Sequence, residues 1–258
     1  MGEVNPDWWK QIFDETYLIT DARSVGDEQL TSKEVDFLEQ VLELDRSWSI
    51  LDLCGGQGRH SLELSRRGFQ DVTVLDYSKV LINVGKERAE KEGLNTRFIR
   101  RDARDTKLPD ARFRIIITMA SSFGYFVEKG ENEKILREAC RLLQPLGKLL
   151  LDLPDRTHVH DNFVPQSWHE ADEDVVVCRQ RRMVQEALYC REMVISKTKG
   201  LVRDETYVIN LYGPETIKAM LKSAGFGGVT IRKDVPTHEK NEDYGTMTNR
   251  MIVIAQKD

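Results

Sequence analysis

Three carboxylates and a run of bare backbone carry the first chemical signal. Residues 50–60 read ILDLCGGQGRH, with Gly55, Gly56 and Gly58 crowded behind an apolar stretch. Glycine there lets main chain approach a ligand closely, and the following helix start offers free N–H groups. Asp52 precedes the glycines, Asp76 follows Gly58 by eighteen residues, and Asp102 lies in FIRRDARD. A carboxylate at the position of Asp76 can accept both hydroxyls of a ribose, a device that dinucleotide folds use too and that does not discriminate between ligands. A dinucleotide is one class. Its G-x-G-x-x-G signature would span Gly56 to Ser61, but Ser61 stands in the third glycine place. That weakens, without removing, the reading as an NAD(P)-dependent oxidoreductase.

The elements needed to hold these groups follow from the hydrophobic pattern. SILDL, DVTVLD, TRFIRRD, FRIIITM and KLLLDL read as five strands, with helices over 59–67, 78–92 and 132–143 between them. Ser78 caps one helix and Gly93 ends it, while Gln144-Pro-Leu-Gly147 suits a type I turn. Strand–helix units of this length give an α/β, doubly wound, mostly parallel sheet. Ligands bind there at the carboxyl ends of the strands, where the order reverses. Upstream, residues 5–18 have helical spacing, 20–30 read as loop, and Thr31-Ser-Lys-Glu34 matches a capping box. Between 166 and 212, four polar-alternating runs predict a small antiparallel sheet. A helix over 214–224 and two strands, GGVTIRK and RMIVIAQ, close the chain. The expected domains are a core of 1–153 plus 213–258 and an inserted β subdomain over 154–212.

The glycine loop with Asp52, Asp76 at the end of strand two, Asp102-Ala103 after strand three and the turn in LLQPLGKLLLDLP together resemble class I S-adenosylmethionine-dependent methyltransferases. WWKQIFDE, CGGQGRHSLELSRRGF and SSFGYF narrow the resemblance to the small-molecule type 11/25 group. The resemblance implies seven strands in the order 3-2-1-4-5-7-6. It implies S-adenosylmethionine as cofactor, held by Asp52, Cys54, Gly55, Gly56, Gly58, Asp76, Tyr77, Asp102, Ala103, Met119, Ala120 and Ser121, with Tyr17 covering it. It implies that Asp102 reaches the adenine amino group and that the inserted sheet roofs the acceptor pocket. Cys54 departs from the family by occupying its first loop glycine, and Leu146 by replacing a turn glycine. The Asn/Asp-Pro-Pro-aromatic motif of amino-directed nucleic-acid enzymes and a Pro-Cys nucleophile are both missing after strand four.

Phe123, Tyr125, Trp168, Tyr207 and Tyr212 are candidates to face the acceptor, with core packing as the alternative for Phe123. Tyr125-Phe-Val-Glu-Lys129 also matches the proton-donor pair of short-chain dehydrogenases, which makes Tyr125 a catalytic candidate. His160 is a second, as base for an oxygen acceptor. His158-Val-His160 in a polar loop lacks the further ligands of a zinc site, so no metal is expected. Arg59 and His60 read equally as solvated helix-start residues or as ligand contacts.

The 258 residues carry a net charge of −5, against a phosphate-gripping surface and so against nucleic acid as partner. No apolar run is long enough for a membrane helix, the N-terminus lacks a signal core, and four scattered cysteines suit reduced thiols. A cytoplasmic protein, monomer or homodimer, with a small-molecule or short-peptide acceptor is the expectation. A non-catalytic cofactor-binding subunit is the remaining alternative.

Overall fold

The computed structural model describes residues 4–233 and 249–258. Its centre is a seven-stranded sheet. The first strands are β1 (Ser49–Leu53), β2 (Asp71–Asp76), β3 (Arg97–Arg100), β4 (Phe113–Thr118) and β5 (Leu143–Pro154). β10 (Phe226–Arg232) and β11 (Arg250–Lys257) complete it. The spatial order is β10-β11-β5-β4-β1-β2-β3, parallel except where β11 pairs with β5 and β10. Counting only these strands, that is 3-2-1-4-5-7-6, as expected. The order reverses between β1 and β4, so the ends of those two strands open the ligand crevice.

Both faces of the sheet are covered at its centre, which is why its inner strands are mostly apolar. Leu51, Leu53, Ile116 and Leu151 pack on one side with Leu136 and Ala139 of α6 (Lys129–Leu142) and Ile217 and Leu221 of α8 (Pro214–Ser223). Ile50, Ile117 and Leu150 pack on the other with Val35, Leu38 and Leu42 of α3 (Glu28–Leu42). Leu62 of α4 (Arg59–Arg66) and Ile82 of α5 (Lys79–Glu92) close over Val74 and Phe98.

The N-terminal segment differs from one continuous helix. It forms a 3-10 turn at Trp8–Lys10, then α1 (Glu15–Thr20) and α2 (Ala22–Val25). Asp14 causes the break: its side chain accepts from the N–H groups of Thr16 and Tyr17 and starts a new helix. Nor is 20–30 a loop, because Asp27 caps α3 through Leu30 N–H. Thr31 and Glu34 lie inside α3 and form no capping box. Their side chains turn inward to Arg59. Leu146 has φ +60°, a left-handed third turn residue that a type I turn does not use and a type II turn does.

α7 (Arg156–Asp161) follows β5, and then comes the second sheet. Its strands are β6 (Gln166–Glu170), β7 (Val175–Val184), β8 (Ala187–Ser196) and β9 (Gly200–Asn210), antiparallel in that order. Asn210 donates from its side chain to the carbonyls of Gly124 and Phe126, tying this sheet to the loop after β4. Among the described residues no helix is long and apolar enough to cross a membrane.

Candidate active site

The glycine loop leaves β1 through three left-handed residues: Cys54 at φ +62°, Gly56 at +57° and Gly58 at +72°. Cys54 thus bears the strain that a glycine would avoid. Its N–H and that of Gly55 both donate to the Leu75 carbonyl (2.8 and 3.2 Å), which pins the loop to β2. Gly55 has no room for a side chain, since a Cβ would lie 2.5 Å from the Asp52 carboxyl carbon.

Asp76 ends β2 and faces the loop. It accepts from Gly56 N–H (2.9 Å) and Ser78 N–H (2.8 Å), leaving lone pairs for a ligand. Burial pushes its carboxyl up, opposed by those two N–H groups. Asp52 is fully buried; one oxygen accepts from Ser61 Oγ (2.9 Å), and the other has no partner among the described residues. Ser61, the residue that broke the dinucleotide signature, therefore has a structural role. Burial raises the Asp52 carboxyl too. An orphaned carboxylate oxygen in a cavity wall fits a cationic ligand group, whose charge offsets the desolvation.

These groups line a cavity with an empty volume of about 1010 Å³. Cys54, Gly55, Gly56, Asp76, Tyr77, Asp102, Ala103, Met119, Ala120 and Tyr17 all contribute to its wall. Gly58 stands just behind, where a Cβ would strike Val74 and Phe98 at 2.8 and 2.9 Å. Asp102 is clamped by Arg104, from Nε at 3.0 Å and Nη2 at 2.6 Å. Burial would raise the Asp102 carboxyl, but Arg104 outweighs it and holds it low. The Arg104 guanidinium lies 4.4 Å from the Phe126 ring centroid and 5.2 Å from that of Trp9. Any adenine contact of Asp102 is therefore shared with Arg104.

A second cavity adjoins the first. Phe13, Tyr17, Val25, Arg59, Ala120 and Tyr125 line both. Ser121 belongs to the second alone, as do Arg179, Arg181, Leu188, Cys190, Glu192 and Tyr207 of the inserted sheet. Tyr125 stacks on Phe13 at 5.6 Å and lies 5.2 Å from Trp8. Tyr207 lies 5.4 Å from Trp8. Burial pushes the hydroxyls of Tyr17, Tyr125 and Tyr207 up, so all three are neutral phenols.

Four expected residues fall elsewhere. Trp168 is 69% exposed. It pairs with Cys178, one residue out of phase with Arg179, and so projects from the opposite face of the sheet. Phe123 and Tyr212 are core residues packed on each other at 5.5 Å and line neither cavity. His160 is exposed on α7 beside Asp161 and far from both walls, and His158 and His160 share no strand face because they are helical. The Lys129 side chain lies outside those described.

Arg59 and His60 are not solvated. They meet Glu34, His60 Nε2 at 2.8 Å. Glu34 also meets Arg250, which meets Asp152, and Asp152 accepts from Ala120 N–H at 2.7 Å. Burial alone would raise Glu34; Arg59, His60 and Arg250 hold it well below the carboxylate range. This buried chain runs from α3 to Ala120 and Ser121, whose φ angles are +55° and +58°. Sequence reasoning missed it, together with Arg104, Arg179, Arg181 and Glu192. The period-two alternation of β7 and β8 was the signal available for the last three.

A methyltransferase-domain family profile matches residues 50–147. The chain is 25% identical over 240 residues to the methyltransferase candidate YqeM of Bacillus subtilis, covering 91% of this chain and 95% of the relative. It is 29% identical over 180 residues to the demethylmenaquinone methyltransferase of Thermus thermophilus, covering 69% and 73%. A solved S-adenosylmethionine-dependent methyltransferase from Clostridium acetobutylicum shares the fold, with a TM-score of 0.73 at 16% identity over 94% of this chain and 96% of that one. The sugar N-methyltransferase KedS8 of a Streptoalloteichus species does so at 0.69 and 17%, over 100% and 98%. Residues 50–147 thus match a methyltransferase domain, and the chain shares the fold of S-adenosylmethionine-dependent methyltransferases.

Proposed function

We propose that the chain methylates a small organic acceptor held in the second cavity, beneath the inserted sheet and the broken N-terminal helices. The observation carrying this reading is the shared wall. Two cavities adjoin at Phe13, Tyr17, Arg59, Ala120 and Tyr125, which puts an acceptor in the second next to a cofactor in the first. When bound, S-adenosylmethionine supplies a methyl group already activated on a sulfonium, ready for in-line displacement.

The chain's own residues then have to bind, align and exclude water. Asp76 accepts from the ribose hydroxyls and Asp52 faces the amino group of the methionine part. The Asp102 and Ala103 corner takes the base. The aromatic faces of Phe13, Tyr17 and Tyr125 shield the seam and favour positive charge there. As neutral phenols, Tyr17 and Tyr125 orient an acceptor by hydrogen bonding and are not bases. The demethylmenaquinone and sugar enzymes act on small molecules, as their names state, which supports the same size class here. Residues 154–212 are then the acceptor-selecting subdomain.

The test has two arms. Incubation with methyl-labelled S-adenosylmethionine and a fractionated metabolite extract should yield S-adenosylhomocysteine and one labelled small product. Label found only in macromolecules would overturn the acceptor class. Asp76→Asn should weaken S-adenosylhomocysteine binding about tenfold to hundredfold, the loss of charge-assisted bonds worth ~1.5–3 kcal/mol. Unchanged affinity would remove Asp76 from the ribose site.

A further inference from the structure

The far end of the second cavity is polar, and the chemistry at the seam does not use it. Arg179 of β7 lines it, with its side chain 9% exposed. Its guanidinium is held from behind on one edge. Nε donates to Glu192 at 2.8 Å, and Nη2 reaches Asp21 at 3.3 Å. Arg203 fixes Glu192 from the next strand at 3.3 Å and also pairs with Asp14. A guanidinium has five N–H donors in a planar fork. Those on Nη1 of Arg179 have no partner among the described residues. A buried arginine with an unused edge at a cavity wall is a built receptor for a planar anion.

Arg181, Asp21 and Glu192 line the cavity beside Arg179, and Arg59, also in its wall, is paired with Glu34. Trp8, Phe13, Tyr125, Tyr207, Leu188 and Ile209 give the wall its aromatic and aliphatic part. Resting on the methyl-transfer reading above, we propose that the acceptor carries a carboxylate bound by Arg179, with its apolar body along the aromatic wall and its reacting atom at the seam. Asp21 and Glu192 position the guanidinium instead of touching the ligand.

Benzoate and its neutral isostere benzamide are the probes, titrated into the full chain saturated with S-adenosylhomocysteine. Benzoate should bind at least tenfold more tightly than benzamide, and Arg179→Gln should erase that difference. Arg179→Lys should keep part of it, since charge remains and the fork is lost. Binding of S-adenosylhomocysteine, measured on each variant, reports that the chain is folded and the first cavity intact. A preference below twofold, or one that survives in Arg179→Gln, would overturn the carboxylate site while leaving the methyltransferase reading standing. Failure of the wild-type chain to bind S-adenosylhomocysteine would instead sink the reading on which the proposal rests.

Discussion

Arg250→Met would test the buried ion chain, and its cost can be worked out bond by bond. Arg250, Glu34 and Asp152 each have a side chain with 0% exposure. Arg250 donates to both oxygens of Asp152 and to Glu34. Methionine fills a similar volume without charge. Glu34 would keep Arg59 and His60, so its charge stays matched. Among the described residues Asp152 would keep the Ala120 N–H and become an orphaned charge. One uncompensated buried charge costs about 3–5 kcal/mol. In a chain of this size each kcal/mol moves the melting temperature by about 2–4 °C, so a fall of roughly 6–20 °C is expected. Calorimetry of wild type, Arg250→Met and Arg250→Met with Asp152→Asn measures it. The double variant should recover at least half the loss, because a neutral amide ends the orphaned charge. A single-variant loss below about 1 kcal/mol, or a double variant no better than the single, would refute the reasoning.

Two further perturbations address the loop and the pH dependence. Gly55→Ala should cost S-adenosylhomocysteine affinity at least tenfold, because its Cβ would sit 2.5 Å from the Asp52 carboxyl carbon; titration showing wild-type affinity would mean that the loop has slack. Glu138 is held at about 2, where Arg141 and Thr106 outweigh the effect of burial. Its folded value lies below the unfolded one, so its stabilisation is full above about pH 4.3 and is lost as pH falls toward 2. Glu138→Gln should therefore flatten denaturation midpoints across that window, and an unchanged pH slope would count against the pairing.

The strand order and the cofactor loop were legible because each rests on local rules. Apolar runs of five or six residues suit strands covered on both faces, the usual state of a parallel sheet, and Gly55 and Gly58 mark where backbone and side chains leave no room. The N-terminal break was not legible, since a side chain at Asp14 decides it against a helical pattern that continues on both sides. Glu34 illustrates the same limit more sharply. Three residues after a threonine it imitates a capping box, yet its partners Arg59 and Arg250 lie 25 and 216 positions away. Charges that pair at such separations look like surface residues until the fold brings them together. The inserted sheet stands between these cases. Its alternation predicted the strands but left the phase unassigned, so Trp168 was credited to the cavity and Arg179 was not. Register settles the phase, because residues opposite one another share a face: Arg179 pairs with Glu192, Arg181 with Cys190, and Cys190 with Tyr207. One observed cavity contact on one strand therefore assigns the whole cavity face of the inserted sheet, and that face holds buried charge that the aromatic candidates alone did not indicate.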